Sequence, residues 1–92
     1  MPYVLITADF PGVSKEDRDK INECLEMKHV NKVREPGRDI DTVWEAYFGS
    51  DTLESNAIKG IISIFEECCK GYCKPKLVLH WGQNKPTRHG LV

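Results

Sequence analysis

The sequence predicts an α+β domain of ferredoxin-like plan, βαββαβ, with two helices on one face of a four-stranded antiparallel sheet. Three observations predict it. Runs rich in β-branched and aromatic residues recur near both ends and in the middle, each bounded by Pro, Gly or Asp. Two segments between them carry apolar residues at three- and four-residue steps. The length of 92 residues holds one core and leaves no room for a second. The domain is expected over residues 1–82, with a polar C-terminal tail over 83–92.

Tyr3 to Ala8 reads as the first strand, closed by Asp9-Phe10-Pro11-Gly12. Ser14 followed by Asp17 has the form of a capping box. Ile21, Cys24, Leu25 and Lys28 keep helical spacing behind it, so the first helix is expected over about Lys15 to Lys28. Val30 to Arg34 and Ile40 to Phe48 flank Pro36-Gly37, a pair suited to a turn because Pro fixes one φ and Gly permits a positive one. These are the second and third strands. Asp51 before Glu54 repeats the capping pattern, and Ala57, Ile61, Ile64, Phe65 and Cys68 set out a second helix that Gly71 and Pro75 stop. Lys76 to Trp81 completes the sheet, with the first and third strands central.

Composition narrows the function classes. Apolar residues make up 40% and charged residues 29%, which suits a folded domain rather than a disordered chain. Lys and Arg number 13 against 14 Asp and Glu, so bulk charge does not drive phosphate binding. The N-terminus lacks a basic segment leading into a long apolar one, and no apolar run reaches the roughly 18 residues a membrane helix needs. A cytoplasmic location without membrane association is expected, with Cys24, Cys68, Cys69 and Cys73 as thiols.

If both helices cover one face, the strands should alternate between core and solvent. Val4, Ile6, Ala8, Trp44, Ala46, Phe48, Leu77, Leu79 and Trp81 make a consistent covered face. The opposite face then carries Tyr3, Leu5, Thr7, Val43, Glu45, Tyr47, Val78 and His80, more apolar than a solvated surface requires. β-propensity alone, or a tail folded across the face, accounts for part of this. A docking face for a protein partner, or for self-association into a homodimer, accounts for Leu5, Val43, Tyr47 and Val78 together. Nucleic acid fits less well, because Glu45 places a negative charge in the middle of the platform.

Several constellations invite chemistry. Asp9 ends the first strand, where a carboxylate could bind a metal between two copies of the domain or simply cap a turn. The cysteines lack the two close pairs of a structural zinc site, so no metal or other cofactor is expected; Cys73, beyond the second helix, is the thiol open to reaction. His80, Glu45 and Tyr47 share a face, but the first strand separates His80 from the other two. The basic residues Lys28, Lys32, Arg34 and Arg38 around the hairpin, and Lys85 and Arg88 in the tail, read as solvated faces or as arms for an acidic partner surface.

Two resemblances follow from these residues. The βαββαβ order, the length and the segment Val4-Leu5-Ile6-Thr7-Ala8-Asp9-Phe10 look like the CRISPR-associated second endonuclease subunit and virulence-associated protein D, which implies a dimeric metal-dependent nuclease or nucleic-acid-processing subunit using Asp9. The Trp44-Glu45-Ala46-Tyr47-Phe48 strand departs from those families, where a basic or serine-bearing strand is usual. The segments Asp39 to Trp44 and Lys76 to Trp81 are similar in style to immunity proteins of contact-dependent or polymorphic toxin systems. That resemblance gives the leading expectation, a non-enzymatic protein that neutralises a cognate toxin by steric occlusion. Its contact candidates are Tyr47, Trp44, Val43, Glu45, Arg38, Tyr3, Leu5 and His80, with Tyr47 and Arg38 ranked first because aromatic and Arg anchors dominate interfaces. The nuclease is the alternative, and a small dimeric oxygenase-like or ligand-binding α+β barrel is a third class.

Overall fold

A computed structural model describes residues 2–35 and 38–83, with side chains described except over 34–41. The elements run β1 (Tyr3–Asp9), α1 (Lys15–Met27), β2 (Asn31–Glu35), β3 (Arg38–Tyr47), α2 (Glu54–Cys69) and β4 (Lys76–Gly82). The sheet has the order β2-β3-β1-β4 and every pairing is antiparallel. This is the ferredoxin-like plan expected from the sequence, with β1 and β3 central and the helices packed on one face. The expected turn at residues 36–37 and the tail beyond Gln83 lie outside the described residues.

Local chemistry explains most boundaries. Pro11 and Gly12 turn the chain after β1, with Gly12 at φ 72° and Val13 N–H donating to the Phe10 carbonyl. Ser14 caps α1 by accepting from Asp17 N–H at 3.2 Å. At its other end, Val30 N–H donates to the Leu25 carbonyl and His29 N–H to that of Glu26. This is a Schellman closure with His29 in the left-handed region at φ 64°. Val30 and Leu25, joined by that closure, are both buried. α2 starts differently from expectation. Leu53 is its N-cap, in extended backbone with no side-chain cap bond. The chain first turns at Gly49, whose carbonyl accepts from Thr52 N–H, so Asp51 falls two residues before the cap position, out of register with the helix amides.

The core follows the alternation read from the strands. Val4, Ile6, Ala8, Trp44 and Ala46 are buried beneath Ile21, Leu25, Ala57, Ile61 and Phe65. Trp44 sits at the centre, its ring 5.4 Å from that of Phe10 and 6.0 Å edge-on to that of Phe65. Its indole N–H donates to Asn22 Oδ1 at 3.2 Å, a buried bond between β3 and α1. On the edge strand β4, Leu77, Leu79 and Trp81 are only half-buried.

The cysteines correct the expectation of four thiols. Cys24 of α1 and Cys68 of α2 form a disulfide, their Cα atoms 5.6 Å apart, leaving Cys69 and Cys73 as free thiols. Both bonded residues lie on the apolar stripes of their helices. Helical periodicity does not say which positions of the two stripes meet. Lys28 and Glu67 add an exposed ion pair at 3.2 Å, of small energetic weight.

β2 and β3 pair irregularly. Asn31 lies opposite Glu45 and Lys32 opposite Trp44, whereas Arg34 lies opposite Asp39. Residues 40–43 therefore span the stretch opposite Val33 alone, a bulge in the pairing of the two strands.

Two outcomes test this account. Asn22→Leu leaves the Trp44 indole without an acceptor and lowers unfolding free energy by about 1–3 kcal/mol, read from urea midpoints. Replacing both Cys24 and Cys68 by Ser opens a covalent loop of separation 44 and costs about 2–4 kcal/mol by the same measurement.

Candidate functional site

Register places the helix-free face in rows. Tyr3 pairs with Tyr47 on one side and Gly82 on the other. Leu5 pairs with Glu45 and His80, and Asn31 continues that row beyond Glu45. Thr7 pairs with Val43 and Val78. Leu5 thus stands between Glu45 and His80, which keeps the two from forming a catalytic couple across the strand.

The eight contact candidates divide by burial. Trp44 is 1% exposed and turned to the helices, so it supports the fold and is not available to a partner. Tyr3 is 8% exposed although it points away from the helices. Its ring lies across Gly82, where an added Cβ would collide with Tyr3 Cζ, Cε1 and Oη. Tyr47 flanks it with ring centroids 6.4 Å apart. A glycine on an edge strand gives an aromatic neighbour a flat surface to cover. Tyr3 is therefore a local structural brace. Leu5, Val43 and Glu45 are half-buried, and His80 is exposed. Tyr47 is 36% and Val78 70% exposed. The side chain of Arg38 lies outside the described residues. What remains accessible is a strip running from Tyr47 through Leu5 and Val43 to Thr7 and Val78.

Asp9 ends β1 opposite Lys76 and is exposed. Among the described residues no group of three or more His, Cys, Asp or Glu is gathered to hold a metal ion. No described helix is long and apolar enough to cross a membrane. At the far end of α2, burial first, and then the adjacent Cys73, push the Cys69 thiol up to about 12, so that it holds its proton.

Two residues that matter here escaped the sequence reading. Asn22 lies on the core stripe of α1 between Ile21 and Leu25, and a polar residue there signals a buried partner such as an indole. Gly82 at the end of an apolar strand signals a close approach. Comparison with family models, with curated proteins and with solved structures finds no match to this chain.

The brace gives a direct test. Gly82→Ala displaces the Tyr3 ring and costs about 1–3 kcal/mol, whereas the same change combined with Tyr3→Ala costs less than the sum of the two. Thermal melts of the three variants check this.

Proposed function

We propose that this chain is a non-enzymatic protein-binding module, and in particular an immunity protein that neutralises a bacterial toxin by covering it. The observation that carries this reading is the helix-free face of the sheet. Val78 is 70% exposed at its edge and Tyr47 36% exposed on its central strand, with half-buried Leu5 and Val43 between them. Apolar surface left open on a small domain favours association. The occupant that suits it is a protein surface presenting apolar side chains to this strip and polar groups to its Glu45 and His80 flanks. Tyr47 is the anchor of choice, since aromatic side chains contribute most where they are desolvated.

The cytoplasmic location expected from the sequence belongs to the same reading. A disulfide is uncommon in a reducing compartment. Cys68 is nearly inaccessible between the helices, which slows attack at its sulfur.

The test uses the protein encoded by the neighbouring gene, which this reading expects to carry a toxin domain. Purified together, the two form a stable complex that titration calorimetry quantifies. Val78→Asp and Tyr47→Ala each weaken that complex at least about tenfold. The stability of the free protein stays within about 0.5 kcal/mol for Val78→Asp, since the residue is exposed. Absence of binding overturns the immunity reading. Divalent-metal-dependent nucleic-acid cleavage that Asp9→Ala abolishes replaces it with the nuclease. A dimer in sedimentation that Val78→Asp dissociates reassigns the face to self-association.

A further inference from the structure

Cys69 and Cys73, the cysteines outside the disulfide, close the end of α2. Cys73 N–H donates to the Cys69 carbonyl at 3.1 Å. The turn so closed brings the two residues together at the end of the helix. Cys73 is also the neighbouring group that, after burial, raises the Cys69 thiol. Their surroundings differ sharply. Cys69 is fully buried in the core cluster, while Cys73 lines an open groove between the end of α2 and the start of β4, with Lys70, Lys74, Pro75 and Leu77. Glu66 and Glu67 line the same groove, so its charge is balanced. Cys73 is among the residues that line the groove, and the buried Cys69 is not.

We propose that Cys69 and Cys73 form a redox-active dithiol with Cys73 as the attacking thiol, Cys69 as the resolving one, and a small-molecule disulfide as the oxidant. Cys73 Sγ, as thiolate, bonds to one sulfur of the oxidant and expels the other half as a thiolate, which takes up a proton. Cys69 Sγ then bonds to Cys73 Sγ and displaces the second half, its proton passing to the departing sulfur. The protein gives up two electrons and two protons, and the oxidant leaves as two thiols. The new bond ties the loop between α2 and β4 to the helix. This site lies apart from the helix-free face and does not depend on what binds there.

The experiment uses the folded chain with its Cys24–Cys68 bond intact and oxidised glutathione as the probe. Samples are acid-quenched at intervals, alkylated, and read by intact mass and peptide mapping. In the wild type a glutathione adduct appears at Cys73 transiently and gives way to a Cys69–Cys73 link, with a net loss of two hydrogens. Cys69→Ser stops at the Cys73 adduct. Cys73→Ser is modified at least about tenfold more slowly. Should Cys69→Ser fail to fold, the transient adduct in the wild type supplies the same evidence. A lasting Cys73 adduct in the wild type overturns the proposal. So does transfer of Cys73 onto Cys24 or Cys68, or modification of Cys73→Ser at the wild-type rate.

Discussion

Trp44 occupies the middle of a central strand, below both helices, and most of the covered face is arranged around it. Its ring meets Phe10 from the turn after β1 and Phe65 from α2. Its indole N–H reaches Asn22 of α1. One side chain therefore touches three other parts of the chain and carries a polar group that must be satisfied once water is excluded. A buried Trp without that acceptor would carry an unmet donor into the core, so the position of α1 over the sheet is fixed by geometry as well as by apolar burial. In a chain this short the core is thin, and one ring of this size is a large part of it.

The disulfide acts on the same layer from the opposite side. Cys24 and Cys68 join the two helices where their apolar stripes meet, so that the helices are held to each other as well as to the sheet. No side chain caps the first turn of α2, and the edge strand β4 beneath it leaves Leu77, Leu79 and Trp81 half-open. The end of α2 is also where the two remaining thiols lie, one inside the core and one at the groove. Buried and reachable sulfur are thereby placed side by side.

The helix-free face is governed by a different balance. Tyr3, which alternation alone would expose, is covered because Gly82 offers it a surface without a side chain. The remaining strip is interrupted by Glu45 and His80 on either side of Leu5. An apolar strip crossed by titratable groups favours a partner that is itself mixed, as protein surfaces are, over a uniformly charged one.

Much of this was legible in the residues. The period-2 pattern of Val4, Ile6 and Ala8 and of Trp44 and Ala46, and the helical spacing of Ile21 with Leu25 and of Ala57, Ile61 and Phe65, determined the element order and the covered face. Ser14 and the Pro11-Gly12 pair determined local boundaries, because capping and turn geometry depend on neighbours in the chain. Tertiary structure alone decided which stripe positions face each other. The Cys24–Cys68 bond, the Trp44 to Asn22 hydrogen bond and the stacking of Tyr3 on Gly82 all join residues distant in sequence. Periodicity states which way a side chain points and carries no information about what it meets there, and that meeting is what separates a brace from an accessible contact.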